Sequence, residues 1–369
     1  MSTRIRTSAS VILMLAASLQ AHAYDVTDNF SISGLIAAGG QCQSLSDDAG
    51  EDDACRGAMP VQPELSLRTT DRDEFFIKFG YGVGNGLNNR SPFALSTWAA
   101  DLEDDVEDLN GRDRDYLLTA WYKHSFELEA GSLGLTMGII DSTDYLDQSD
   151  YANDEFTQFM NEVFVNNRNS LFPGYDAGVA LEWAQGNWSL NAISMNVGKN
   201  DNDNEFMYYG AQAGYSLNSG LGDGYIRLTI AGTNGRFINE DGSDDGENRF
   251  ELVATADQSF GEYWGAFVRV GWQSDDPAIV YESVFSGGVD LKGGLWGRGD
   301  DNVGIGVAYM DGGNLELDRT YAFETYYRAT LSEHLALTAD VQWLQDENAD
   351  SGDDDAEGWI VGLRLVAEF

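Results

Sequence analysis

The sequence predicts an all-β fold, a transmembrane antiparallel outer-membrane β-barrel of about sixteen strands, and three observations carry that expectation. The first is the C-terminus, Trp359 to Phe369, which sets Trp359, Val361, Leu363, Leu365, Ala367 and Phe369 on one side of a strand and Ile360, Gly362, Arg364, Val366 and Glu368 on the other. Such a strand has a lipid-facing side and a wetter back, and it closes on an aromatic residue. The second is the N-terminus, where Arg4 and Arg6 precede an apolar run from Ala9 to Leu19 and a small-x-small site, Ala21-His22-Ala23. This is the pattern of an export signal over residues 1–23, leaving 24–369 as the barrel. The rival reading of that run, a membrane anchor, needs roughly 20 apolar residues, and this one ends at Gln20. The third is the recurrence of alternating segments whose connections are short and long by turns.

In chain order, candidate strands fall near 29–38, 63–69, 74–82, 114–127, 131–141, 176–184, 188–198, 205–216, 224–233, 249–257, 263–273, 288–297, 302–310, 321–331, 335–345 and 359–369. The best phased are the last. Tyr321, Phe323, Thr325, Tyr327, Ala329 and Leu331 oppose Glu324, Tyr326, Arg328 and Thr330, while Leu335, Leu337, Ala339, Val341 and Trp343 oppose Thr338, Asp340 and Gln342. The segments at 63–69, 114–127 and 188–198 alternate least cleanly. Short turns at Thr70–Asp73, Gln185–Asn187, Ser259–Glu262, Gly299–Asp301 and Ser332–His334 face the periplasm in this reading. Long acidic loops at 39–62, 83–113, 142–175, 234–248, 274–287 and 346–357 face outward, the asymmetry expected of outer-membrane barrels. A mean hydropathy of −0.32 does not oppose this, because only alternate residues of a barrel strand touch lipid.

The chain carries 62 acidic and 21 basic residues, and removing residues 1–23 takes away two arginines and no acid. Nucleic acid is therefore excluded as a partner. The acids cluster in runs such as Asp101 to Asp108 and Glu240 to Asp245. They read as solvated outer loops, with bridging of divalent cations or lipopolysaccharide as the alternative. Abundant glycine (42), scarce proline (5) and 12% aromatics suit many strands and tight turns. The two cysteines, Cys42 and Cys55, mature in an oxidising compartment and are expected to form a disulfide closing a short acidic loop. A metal site calls for more ligands. Beyond residue 23 the histidines are His124 and His334, little material for histidine-based catalysis.

On strands with clear phase the inward set includes Lys78, Glu182, Tyr225, Arg227, Glu251, Phe267, Arg269, Trp296, Arg298, Glu324, Tyr326, Arg328, Asp340, Gln342 and Arg364. Guanidinium forks suit hydroxyl and carboxylate oxygens, and aromatic faces suit sugar rings. The set therefore predicts an arginine- and aromatic-lined constriction for polyhydroxylated solutes. The bland reading is that arginine–acid pairs brace a polar wall. The longest loop, 142–175, carries Asp144, Asp147, Asn153, Asp154, Glu155, Gln158 and Asn161 among Tyr145, Tyr151, Phe156 and Phe159. Two placements are open for it, folded into the pore or lying as a surface lid. Its acids lack the D-x-[DN]-x-[DN]-G spacing and closing glutamate of a calcium loop.

Five stretches carry a resemblance: GNGLNNRSPF (Gly84 to Phe93), RDYLLTAWYKHSFEL (Arg114 to Leu128), GIIDSTDYLDQSDYANDEFTQFMN (Gly138 to Asn161), DLKGGLWGRGDDNVGIG (Asp290 to Gly306) and ETYYRATLSEHLALTADVQWL (Glu324 to Leu344). In them the chain resembles the carbohydrate-selective porins of the OprB type, whose fold is a 16-stranded barrel. The resemblance implies passive diffusion of sugars through a narrowed, arginine-bearing eyelet. The positions it carries over are Glu324, Tyr326, Arg328, Asp340, Gln342, Trp296 and Arg298. The wall arginines Arg227, Arg269 and Arg364 join them as candidates by phase alone. Where members often have proline, this chain has Ala339.

The expected partners are outer-membrane lipid, lipopolysaccharide and small sugars as permeants, with no cofactor. A homotrimer is compatible with the pattern but not specified by it. Three other functions compete: a general or ion-selective pore, a hydrolytic outer-membrane enzyme, and a plugged adhesive barrel. An enzyme needs a base oriented beside its nucleophile, and both histidines fall at or near short periplasmic turns.

Overall fold

The computed structural model describes residues 24–46, 51–200, 202–243, 245–315, 317–349 and 355–369; the expected export signal at 1–23 lies outside them, as do parts of the acidic runs near 47–50 and 350–354. Strands follow one another along the chain, parted most widely by the segments 80–116 and 141–175. They are β1 (Tyr24–Thr27), β2 (Phe30–Leu45), β3 (Ala54–Ala58), β4 (Val61–Thr70), β5 (Asp73–Phe79), β6 (Leu117–Leu128), β7 (Gly131–Ile140), β8 (Asp176–Gln185) and β9 (Trp188–Lys199). The second half has β10 (Glu205–Ser219), β11 (Gly222–Thr233), β12 (Phe250–Phe260), β13 (Trp264–Gln273), β14 (Tyr281–Lys292), β15 (Asn302–Gly312), β16 (Leu317–Ser332), β17 (Leu335–Asn348) and β18 (Ala356–Glu368). Among the described residues, helix is confined to α1 (Glu103–Glu107), α2 (Glu162–Val165) and a 3₁₀ turn at Gly293–Trp296.

Neighbours in sequence pair antiparallel around the ring, and β18 returns to pair with β2. β3 and β4 both pair with β2 and continue one another across Met59-Pro60, while the short β1 forms a hairpin with the start of β2. The ring therefore has sixteen staves. Closure leaves no stave with an unpaired edge, which is what lets a sheet stand in lipid. The seam is fastened at the last residue, where the Phe369 amide donates to the Gly34 carbonyl and the Gly34 amide to the Phe369 carbonyl.

Period-2 alternation settles the faces. In β18, Trp359, Val361 and Leu363 are exposed while Ile360, Arg364 and Val366 are buried, and β11 and β13 show the same split. Those exposed apolar rows form the lipid belt. Register then gathers the inner residues: Glu324 faces Gln342, Tyr326 faces Asp340, and Thr338 faces Arg364.

Three sequence expectations are corrected. The region 39–62 is mostly strand, because β2 runs to Leu45 and β3 begins at Ala54. The outer face of β2 there is made of Gly40, Cys42 and Ser44, too small to read as lipid-facing, and its inner Gln41 and Gln43 bond to Thr97 and Arg90 carbonyls. The expected Cys42–Cys55 disulfide is formed, and it joins register partners on adjacent strands. The strand expected at 288–297 is β14, which starts at Tyr281 and stops at Lys292. Gly293-Gly294 turns the chain into the 3₁₀ segment, where Gly297 takes the left-handed conformation (φ 79°) that closes it. Finally, β6 starts at Leu117, and Arg114 belongs to the preceding loop, donating to the Tyr175 carbonyl.

Candidate functional site

The loop between β7 and β8, residues 141–175, folds inward and lies along the inner wall. Its apolar side chains explain why. Phe159, Val163 and Phe164 pack against Phe267, Val284, Ala308, Met310 and Tyr326 of the wall, and the Phe159 ring meets the Tyr326 ring edge-on at 5.1 Å. Tyr145 and Leu146 bury against Ile193, Met195, Phe206 and Tyr208. A second loop, 80–116, follows it inward and buries Trp98 and Leu102 with Phe156 and Met160. Burial of this many large side chains favours the inward placement over a surface lid by several kcal/mol on the scale of about 1.5–3 kcal/mol per side chain.

Polar side chains of the wall fix the loop. Glu324 accepts from the Met160 amide at 2.6 Å and the Asn161 amide at 2.9 Å. Gln342 accepts from Asn161 Nδ2 at 3.1 Å and donates to the Thr97 carbonyl at 2.8 Å and to Asp340 Oδ1 at 2.9 Å, tying both loops to one stave. Arg364 donates to the carbonyls of Glu155 and Gln158, the latter at 2.8 Å. Arg269 forms an ion pair with Asp147 at 2.9 Å and donates to the Ala152 carbonyl at 3.0 Å and the Phe164 carbonyl at 3.3 Å. Arg227 pairs with Asp257 of the wall and with Asp150 of the loop.

Glu324, Gln342, Asp340, Tyr326, Arg269 and Arg364 are thus brought to one side of the barrel, each 2% exposed or less. Beneath the loop they hold it in place and make no contact with open lumen. Arg328 lies further toward the turn end of β16, near Thr330 and Glu368. The structure separates two candidates from the group. Trp296 sits in the 3₁₀ turn, 40% exposed, and Arg298 follows it, pairing with Asp301 and donating to the Thr330 carbonyl. Both stand at a turn because β14 ends before them. Within that turn, the Arg298 guanidinium holds the Asp301 carboxyl down at about 2.

On the other side of the loop the lumen stays wet. Its wall is β4 to β8, where Glu64, Lys78, Lys123 and Glu182 are half-buried. Lys78 is the register partner of Glu64, and Lys123 forms an ion pair with Glu182 at 2.5 Å. Facing them from the loops are Asp101, Asp141, Asp144 and Glu155. Asp101 accepts from Tyr175 Oη at 2.6 Å and from Gln62 Nε2 at 2.9 Å. Enclosure within the barrel, with Asp141 next, pushes Asp144 up to about 7, and Lys78 acts against it. Enclosure, then Asp154 and Asp101, pushes Glu155 up to about 8. Of these groups only Lys78 and Glu182 were legible as inward-facing in the sequence. Glu64 sits on a strand of poor phase, and the loop acids were hidden because their direction depends on where the loop lands.

A closed sixteen-stave barrel with turns at one end, loops at the other, an apolar belt and a loop folded into its lumen is the architecture of the outer-membrane porins. Residues 212–369 match the family described as the carbohydrate-selective porin, OprB family. A relative from Aquifex aeolicus, itself described only as an uncharacterized protein, is 29% identical over 300 residues, spanning 80% of this chain and 84% of its own. Among solved structures, Pseudomonas putida OprB at high pH superposes with a TM-score of 0.71 at 14% identity, over 92% of this chain and 94% of its own. The anion-selective porin from Comamonas acidovorans gives 0.54 at 11% identity, over 92% and 99%.

Proposed function

We propose that this barrel passes carbohydrates across the outer membrane by passive diffusion, with no chemical step and no cofactor. The observation that carries the reading is the 141–175 loop, locked by Glu324, Arg364 and Arg269 so that it narrows the lumen. The match of residues 212–369 to the carbohydrate-selective family supports sugars as the permeant. The narrowed passage runs between the loop and staves β4 to β8. In it Lys78 and Lys123 donate, the facing carboxylates accept, and a poly-hydroxylated solute exchanges its hydration shell for those groups as it passes. The arginines expected to line the constriction act one step away, by holding the loop that forms it.

A second reading, a general or ion-selective pore, is favoured by the excess of carboxylates over lysines on the wet side. Planar-bilayer conductance with glucose, a disaccharide and an uncharged non-sugar of similar size decides between them. Saturable reduction of current by the sugars alone supports the carbohydrate reading; equal, non-saturable reduction by all three supports the general pore. Replacing His124 and His334 together leaves a channel unchanged and would abolish a histidine-based enzyme. Lipid and lipopolysaccharide surround the belt in this reading, and the trimer is tested by the mass of the detergent-solubilised assembly.

A further inference from the structure

A cavity of about 300 Å³ opens between the two inward-folded loops, on the loop end of the barrel. It is lined by Asn88, Asn89 and Phe93 of the stretch Gly84 to Phe93, by Asp104, and by Glu162 and Arg168 of the other loop. The wet passage between the loop and β4 to β8 uses none of these residues. They are held in position by their own bonds. Arg168 Nε lies 3.0 Å from Glu162 Oε1, and the same oxygen accepts from the Ser96 amide at 2.7 Å. Asn88 Oδ1 accepts from Ser96 Oγ at 3.2 Å, and Asn89 Nδ2 reaches Asp104 Oδ2 at 3.5 Å.

From this cavity we infer a second solute site, an outer vestibule subsite for one or two pyranose units. The inference rests on the carbohydrate reading above and gives it an entry point. The chemistry is specific in kind. Vicinal hydroxyls each donate and accept, so they are met by groups that do one or the other in pairs: two carboxylates as acceptors, a guanidinium as a forked donor, and two amides that do both. Arg168 and Glu162 neutralise one another as an ion pair and Asp104 adds a negative charge, which disfavours an anionic ligand and admits an uncharged polyol. Buried Phe93 offers an apolar wall to a ring's C–H face. The volume is at the small end of the roughly 300–1,000 Å³ of small-molecule sites, which fits a mono- or disaccharide and excludes a longer chain from full enclosure. A solute captured there is concentrated at the mouth before it meets the narrowing.

The test is the half-saturating concentration of glucose and of maltose, added on the loop side of the intact protein in a planar bilayer, for wild type, Asn88→Ala and Arg168→Gln. Heat-modifiable migration of each variant checks that the barrel has formed. The subsite predicts a rise of about fivefold or more in half-saturating concentration, as expected for one lost hydrogen bond, with the sugar-free conductance unchanged. Saturation in wild type with the same constants in both variants overturns the subsite and leaves the carbohydrate reading standing. No saturation in wild type overturns both.

Discussion

Arg269 and Asp147 form an ion pair in which neither side chain is exposed to solvent (0% and 0%), and the pair joins stave β13 to the loop that enters the lumen. A charge in that setting is tolerated only while its partner is present. Arg269→Gln therefore leaves Asp147 buried without its counter-charge, a loss of about 3–5 kcal/mol when one member of such a pair is removed. The barrel hydrogen-bond ring is untouched by the change, so the loop releases instead. The expected result is larger and noisier single-channel conductance together with proteolytic cleavage within 141–175, measured on barrels that still migrate as folded species. Wild-type conductance and full protease resistance would show that apolar packing alone holds the loop.

Glu324 satisfies two buried amides at once, those of Met160 and Asn161. Glu324→Ala orphans both, at about 1–3 kcal/mol for each unsatisfied group. Glu324→Gln keeps one acceptor oxygen and replaces the other by a donor facing an amide, so it falls between. Conductance and its voltage closure should rank wild type, Gln, Ala in order of increasing looseness. A variant series in which alanine and wild type are alike would place the loop under the control of other contacts.

Proton uptake by the wet-side loops gives a pH dependence whose sign is fixed. Asp144 and Glu155 are pushed up to about 7 and about 8, so both are largely neutral at pH 6 and charged at pH 9. Cation selectivity, read as reversal potential in a salt gradient, should rise across pH 6 to 9 and flatten in the double variant Asp144→Asn, Glu155→Gln. A reversal potential constant over that range in wild type removes these two groups from the conducting path.

Leu363 stands on the lipid belt in the middle of β18, 58% exposed. An arginine there costs roughly 2–4 kcal/mol near the bilayer midplane. Leu363→Arg should lower the denaturant midpoint of the barrel in lipid, whereas the same change at Ser44, near the loop end of β2, should cost little. Equal stability of the two variants would contradict the belt.

The barrel and its faces are written in local sequence. Side chains of a strand alternate with a period of two whatever the rest of the chain does, so the phase of 321–331, 335–345 and 359–369 is local information, and the inward positions of Glu324, Tyr326, Asp340, Gln342 and Arg364 follow from it. Local information failed where the outer face is small, as at Gly40 and Ser44 of β2, and where a glycine pair ends a stave early and carries Trp296 and Arg298 into a turn. What the inward residues do depends on long-range packing. Their neighbour is a loop well over a hundred residues away in the chain, and whether Arg364 and Arg269 meet water or the carbonyls of Gln158 and Ala152 depends on how Phe159, Phe164 and Leu146 bury against the far wall. That burial is a sum over contacts from many staves, which no window of sequence contains. It turned the expected lining of the passage into its scaffold and left Lys78 and the loop carboxylates facing the water.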